Sequence, residues 1–85
     1  MRVLVYTKSD CPLCDRLLDD LAWLQEQIGF AVELRDIAAD PAAEARFRYL
    51  VPVLEVGGAL YYPPHDALHL HHHLTAAARA AHPEA

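Results

Sequence analysis

The feature that most constrains this chain is a pair of cysteines, Cys11 and Cys14, placed where a predicted strand passes into a predicted helix. Residues 2–7 are mostly β-branched, aliphatic or aromatic, which is typical of a strand covered on both faces. Pro12 follows at the first helical position, where a proline loses no hydrogen bond. We therefore expect Cys11 to be the N-cap of a helix, with both thiols at its N-terminal end.

Thiols in this position favour redox chemistry. The unpaired amides of a first helical turn and the helix dipole both favour a negative charge, so they favour the thiolate over the thiol. The C-x-x-C spacing also allows the two sulfurs to close a small disulfide ring. We expect Cys11 to be the exposed, attacking sulfur and Cys14 to be the better buried, resolving one. Lys8 adds positive charge nearby, whereas Asp10 and Asp15 oppose it.

The remaining pattern predicts one domain, residues 1–85, with the order β-α-β-α-β-β-α. A stripe of apolar residues at helical spacing predicts the first helix, and Gly57-Gly58 predicts a hairpin between the last two strands. We expect the first two strands to be parallel, the last two to be antiparallel, and residues 82–85 to fray. The predicted strands are 2–7, 31–37, 51–56 and 59–62, and the predicted helices are 12–28, 41–50 and 65–81. The first-helix stripe is Leu13, Leu17, Leu21, Leu24 and Ile28.

Charge and hydropathy limit the classes of partner. The chain has 7 basic and 12 acidic side chains, a net charge of −5, and its arginines are scattered, so we predict no nucleic-acid binding. The apolar N-terminal run is interrupted at Lys8 and Asp10, too early for a signal peptide or a membrane span. We therefore expect a cytoplasmic monomer without a membrane partner. In that compartment a close cysteine pair is more often catalytic or metal-binding than structural.

Six histidines raise a metal-binding alternative. A zinc site needs about four nitrogen or sulfur ligands, of which one C-x-x-C supplies two. On the predicted last helix, however, His65, His69 and His72 lie away from the apolar stripe, and the histidines fan around the helix. We therefore predict a solvated polar face and no metal site. The alternative that stays open is a non-catalytic module that binds metal or a partner protein through Cys11, Cys14 and a histidine.

Three stretches together resemble the glutaredoxin branch of the thioredoxin-fold family, and in particular its small bacterial glutaredoxin-like proteins. They are Tyr6-Thr7-Lys8, Cys11-Pro12-Leu13-Cys14 and Val51-Pro52-Val53. The resemblance implies an α/β thioredoxin fold, in which three helices flank a four-stranded mixed sheet. It also implies a thiol–disulfide oxidoreductase that reduces protein or glutathione-mixed disulfides, with no bound cofactor and with glutathione as a candidate co-substrate.

The resemblance further implies a cis peptide bond between Val51 and Pro52, beside the cysteines, with the Val51 backbone pairing with an extended substrate. Lys8 would help to hold the glycine carboxylate of glutathione. Glutaredoxins bind the γ-glutamyl end with a Gly-Gly-x-Asp-Asp-like segment. Residues 62–66 replace that segment here, and of these only Asp66 could stand in for the acids, as the N-cap of the last helix or as a glutathione contact. A protein disulfide and glutathione are therefore both candidate partners, with glutathione or a thioredoxin-type system as reductant. The implied binding residues are Lys8, Pro12, Leu13, Val51, Pro52 and Asp66.

Overall fold

The computed structural model describes residues 1–81, which form a four-stranded sheet covered by three helices. The predicted order of elements is confirmed, with one added 3-10 turn, Ile37–Ala39, after the second strand. The predicted fraying of residues 82–85 lies outside the described residues. The strands are β1 (Arg2–Thr7), β2 (Ala31–Asp36), β3 (Val53–Val56) and β4 (Ala59–Tyr61), and the helices are α1 (Pro12–Gln25), α2 (Pro41–Phe47) and α3 (Ala67–Ala81).

The sheet is mixed, and its strand order is β2-β1-β3-β4. β1 runs parallel to β2 and antiparallel to β3, while β3 and β4 form an antiparallel hairpin, so the predicted strand directions are confirmed. Gly57 and Gly58 make the hairpin turn with positive φ angles of 59° and 79°, which glycine adopts without steric cost. β2 lies at an edge, in agreement with its half-exposed sequence pattern.

Alternating side chains place the central strands between two apolar clusters. On one side, Val3 and Val5 of β1 pack with residues of α1 and α3. On the other side, Tyr6 packs against a cluster that contains both cysteines and residues of α2. The larger cluster is Val3, Val5, Leu17, Leu21, Leu24, Leu54, Val56, Leu70 and Leu74. The second, which we call the cysteine cluster, is Cys11, Cys14, Ile37, Ala43, Phe47, Val51 and Val53.

Several predicted element ends are wrong, because side chains and amides near the ends find other partners. α1 stops at Gln25 rather than at residue 28, since the amides of Gln27 and Ile28 both turn back to the Leu24 carbonyl, at 2.9 and 2.8 Å. β2 stops one residue early, because the Asp36 carboxylate accepts the Ala38 amide at 2.9 Å and starts the 3-10 turn.

The third strand begins at Val53 and not at Val51. Pro52 has no amide to give to the ladder, and the Val51 amide donates instead to the Phe47 carbonyl at 3.1 Å. The same local turn ends α2 at Phe47, short of the predicted residue 50. These displaced ends leave residues 48–52 as the loop that leads to the cysteine cluster.

α3 begins at Ala67, two residues later than predicted. Asp66 is its N-cap, because Oδ1 accepts the His69 amide at 2.8 Å. The apolar spacing of the last helix predicts that Ala67, Leu70 and Leu74 share its buried stripe. Leu70 and Leu74 are buried, as this spacing predicts, whereas Ala67 is exposed. Over residues 1–81, no helix combines the length and the apolar character that crossing a bilayer requires.

Candidate active site

The two cysteines occupy the start of α1 in the predicted manner. Cys11 is the N-cap, with an extended backbone (φ −120°, ψ 96°), and Pro12 is the first helical residue. The Cys11 sulfur accepts the amide hydrogen of Cys14 at an N···S distance of 3.2 Å. Cys11 and Cys14 are joined by a disulfide, and their Cα atoms lie 5.2 Å apart. The structure therefore represents the oxidised form of the pair.

The sulfurs are more enclosed than the sequence predicted. Only 8% of Cys11 and 2% of Cys14 is exposed, so the expectation of an exposed Cys11 is wrong, although the predicted order of accessibility is right. Both residues pack in the cysteine cluster, where Val51 reaches them from the loop before β3. Any group that contacts Cys11 must therefore approach it closely, at a site shaped by neighbouring side chains.

The Val51–Pro52 peptide bond is cis, as the family resemblance implied. Val51 and Pro52 are both buried, and Val51 belongs to the cysteine cluster. The Val51 amide is already bonded to the Phe47 carbonyl, so a substrate can pair with that amide only after this bond opens. Backbone pairing between Val51 and a substrate stays a prediction.

The charged residues near the cysteines are exposed to solvent. Lys8, Asp10 and Asp15 all lie on the surface, where water and salt weaken their influence on the sulfurs. Asp10 has a positive φ of 53°, a left-handed conformation that aspartate tolerates better than most residues, and it directs the chain into the N-cap. The roles predicted for Lys8 and Pro12 in substrate binding stay predictions.

An open groove of about 620 Å³ runs beside Pro52, between α1 and the segment that leads into α3. It brings together three of the predicted binding residues, Leu13, Pro52 and Asp66. Lys8, Pro12, Val51 and the cysteines are not among the residues that line it. The lining residues are Leu13, Arg16, Leu17, Asp20, Pro52, Pro63, Pro64, His65, Asp66 and Ala67.

Leu13 belongs to this groove and not to the core. The sequence placed it at the head of the buried α1 stripe, but 60% of it is exposed. Cys14, the next residue, takes the buried position in the first turn instead. The N-terminal end of α1 faces the cysteine cluster and not the larger apolar cluster that contains Leu17. The Leu13 side chain is therefore free to contact a ligand.

His65 is a groove residue that the sequence did not assign to the binding site. Its Nε2 atom lies 2.7 Å from the carbonyl oxygen of Pro52, thirteen positions earlier in the chain. The sequence placed His65 on the solvated face of the last helix, which is wrong, because the helix starts two residues later and its periodicity does not extend to this position. The only local signal was a histidine held between Pro63-Pro64 and a helix-capping Asp66.

The histidines of α3 do not share a common set of contacts. His69 Nδ1 pairs with the Asp66 carboxylate, while the His73 ring stacks on Tyr61 with centroids 4.1 Å apart. His71 and His72 are exposed. In the part of the chain that the structure describes, no group of three or more histidine, cysteine, aspartate or glutamate side chains is arranged to hold a metal ion.

The cap of α3 gives a testable pH dependence. The pKa of Asp66 is lowered from its ordinary value of 3.8, chiefly because its carboxylate accepts the His69 amide, with the His69 ring as a smaller cause. A carboxyl group whose pKa is lower in the folded state stabilises the fold above its unfolded pKa, and this stabilisation is lost as the pH falls through the folded value.

Replacement of Asp66 by asparagine keeps a capping oxygen but removes the charge. We expect the wild-type protein to melt at a higher temperature than Asp66→Asn at about pH 6, and the difference to shrink as the pH falls below 3.8. Circular dichroism melts of both proteins across this range would measure it. A difference that stays constant down to about pH 2 would contradict the assignment of the charge to this cap.

A four-stranded mixed sheet flanked by three helices, a C-x-x-C cysteine pair at a helix N-terminus and a cis peptide bond before Pro52 together define a protein of the thioredoxin fold. Residues 2–78 match the family model of the Glutaredoxin-like domain (DUF836), and the chain belongs to that family. None of the curated proteins matches this sequence.

Solved structures agree with this assignment. The chain is similar to a structural-genomics target protein from X. campestris: its X-ray structure has 36% identity, a TM-score of 0.76, and coverage of 88% of this chain and 97% of that one. The solution structure of the same target has 33% identity and a TM-score of 0.71, covering 91% and 96%. A mutant of a thioredoxin-like protein has 23% identity and a TM-score of 0.58, covering 86% and 97%, and shows the same fold.

Proposed function

We propose that this protein is a dithiol–disulfide oxidoreductase in which Cys11 attacks the substrate and Cys14 resolves the intermediate. The observation that carries the proposal is the hydrogen bond from the Cys14 amide to the Cys11 sulfur, at 3.2 Å. In the reduced protein the same first-turn amide and the helix dipole would stabilise a thiolate on Cys11. The thiolate is the form of cysteine that attacks disulfides.

The reaction begins with the reduced pair. The Cys11 thiolate attacks one sulfur of a substrate disulfide, a bond forms between Cys11 and that sulfur, and the other substrate sulfur leaves as a thiolate that takes up a proton. Cys14, as a thiolate, then attacks the Cys11 sulfur. This attack closes the Cys11–Cys14 disulfide and releases the second substrate sulfur as a thiolate, which takes up a proton. The substrate gains two electrons and the cysteine pair loses two. An external thiol reductant, glutathione or a thioredoxin-type protein, must return them.

The two cysteines differ in a way that supports these roles. Cys11 is the more accessible sulfur and holds the capping position, whereas Cys14 is almost fully enclosed. A bulky substrate disulfide can reach the first more easily than the second. Cys14 needs to meet only Cys11, which its bond in the oxidised form already places within reach.

The groove beside the pair supports a peptide-like substrate. Its apolar surface includes the exposed Leu13 and the ring of Pro52, and its charged side chains are Arg16, Asp20 and Asp66. The guanidinium would pair with a substrate carboxylate and the aspartates with an ammonium group. Glutathione offers both kinds of group, and so does a protein segment that carries a cysteine, so we propose mixed disulfides of either kind as substrates.

The test is turnover of a mixed disulfide between glutathione and a cysteine-containing peptide. The protein is supplied in one assay with glutathione and glutathione reductase, and in another with thioredoxin and thioredoxin reductase. We expect NADPH oxidation above the protein-free rate in at least one assay, and the assay that responds identifies the class of reductant. A rate equal to the protein-free rate in both, with both thiols free at the start, would overturn the proposed function.

A further inference from the structure

The Pro52 carbonyl that accepts from His65 is a buried acceptor at the centre of the proposed site. Pro52 follows the cis peptide bond and is fully buried, and its residue lines the substrate groove. Its carbonyl precedes β3, so the strand ladder does not begin until the next residue. A buried carbonyl without a donor destabilises the fold. His65 supplies the donor at 2.7 Å.

The bond also sets the chemistry of the ring. A carbonyl oxygen only accepts hydrogen bonds, so the Nε2 atom of His65 must carry the hydrogen. In the neutral imidazole, Nδ1 is then the unprotonated nitrogen. His65 is half-buried and borders two cavities, the substrate groove and a smaller one of about 300 Å³ next to Tyr61 and His73.

The same bond joins two parts of the groove that are distant in sequence. One part is the cis-proline turn, which lies beside the cysteine cluster, and the other is the segment from Pro63 to Ala67 that leads into α3. The two prolines restrict the backbone of that segment, and Asp66 anchors its far end by capping α3. His65 is the side chain that connects this stiff segment to the proline turn.

We propose that His65 is a positioning residue for the redox site: through the Pro52 carbonyl it holds the wall formed by residues 63–67 at a fixed distance from Pro52, and so preorganises the groove for its substrate. The proposal rests on the proposed oxidoreductase function for its kinetic consequence. The cysteines do not depend on this bond for their own geometry, since Cys11 is positioned by the first turn of α1. His65 should therefore affect substrate binding more than the chemical step.

The kinetic test compares His65→Leu, which loses the donor, with His65→Gln, whose amide can donate in its place. For the glutathione–peptide mixed disulfide we expect His65→Leu to raise KM about fivefold to tenfold, as loss of one hydrogen bond predicts, with kcat changed by less than about twofold. His65→Gln should restore KM to within about threefold of the wild-type value. His71→Leu, the same change at an exposed position of α3, is the matched control and should leave both constants unchanged.

Three kinetic outcomes would overturn the proposal: an unchanged KM in His65→Leu, an equal defect in His65→Leu and His65→Gln, or a loss confined to kcat. The second would assign the effect to the shape of the ring rather than to its donor. Melting curves of each variant identify any that fails to fold. If His65→Leu does not fold, His65→Gln against wild type decides the question, since a defect of fivefold or more would remove the hydrogen bond as the cause.

A measurement that needs no turnover keeps this proposal separate from the proposed function. Long-range proton–nitrogen NMR correlation of the imidazole rings reports which nitrogen of His65 carries the hydrogen, and we expect Nε2. Val53 and Ala67 lie on the two connected segments, and the amide signals of both should shift in His65→Leu. Neither signal should shift in His71→Leu. A wild-type ring protonated only on Nδ1, or shifts confined to Ala67, would overturn the positioning role even in a protein that reduces no disulfide.

Discussion

Replacement of Cys11 by serine is expected to reduce disulfide turnover by at least about a hundredfold, because the attacking thiolate is removed and a hydroxyl at the same N-cap does not form a disulfide. Cys14→Ser should behave differently. Cys11 still attacks there, but no neighbouring thiol resolves the product, so a mixed disulfide with the substrate thiol accumulates on Cys11. Turnover rates and intact-protein mass spectrometry after exposure to the mixed disulfide would measure both effects.

The two substitutions control for each other, since each makes the same chemical change in the same helical turn. Digestion of the trapped Cys14→Ser species should place the substrate thiol on the peptide that contains Cys11. A Cys11→Ser protein that keeps near-wild-type turnover would contradict the attacking role of this cysteine. A trapped thiol on Cys14 of the Cys11→Ser protein, formed as fast as the opposite adduct, would contradict the asymmetry that we derive from burial.

Replacement of Leu70 by alanine should produce a large loss of stability. Only 1% of Leu70 is exposed, and its side chain lies in the larger apolar cluster, with residues of α1 and the central strands. Truncation of a buried leucine costs about 2 to 5 kcal/mol through lost burial and the cavity that remains. A domain of 85 residues has a total stability of about 4 to 13 kcal/mol. The melting temperature should fall by about 10 to 30 °C.

Leu68→Ala is the matched control, because it makes the same change two positions away on a side chain that is 78% exposed. We expect this variant to lose less than about 0.5 kcal/mol. Chemical denaturation of both variants, with the cysteine pair in the same redox state, gives the comparison. Equal losses for the two variants would mean that α3 does not pack through the face that contains Leu70.

The elements of the fold could be predicted because their signals are local. The strand Arg2–Thr7 matches its prediction at both ends, and the N-cap at Cys11 and the turn at Gly57-Gly58 follow from residues adjacent in sequence. Each depends on the preferences of a few neighbouring residues, which the tertiary fold did not override. The C-terminal end of α1 and the start of β3 were less predictable. They depend on which carbonyl groups accept the amides of Gln27, Ile28 and Val51.

The site was only partly predictable, because its arrangement depends on non-local contacts. The periodicity of α1 placed Leu13 on the buried stripe of the helix. Only the tertiary structure shows that this end of α1 lies against a second cluster, in which Val51 and Phe47 pack with the cysteines. The enclosure of Cys11 has the same origin. Spacing along the chain indicates which residues share a helix face, whereas it does not indicate what the neighbouring loop covers.

By itself, the sequence determined the order of the elements, the strand directions and the placement of two cysteines at a helix N-terminus, because period, caps and turns are local physical signals. Only the tertiary structure decided that Cys11 is buried, that Leu13 borders a groove and that His65 donates to the Pro52 carbonyl. The last of these joins residues thirteen positions apart. Such a contact exists only when the sheet brings the proline turn and the start of α3 together.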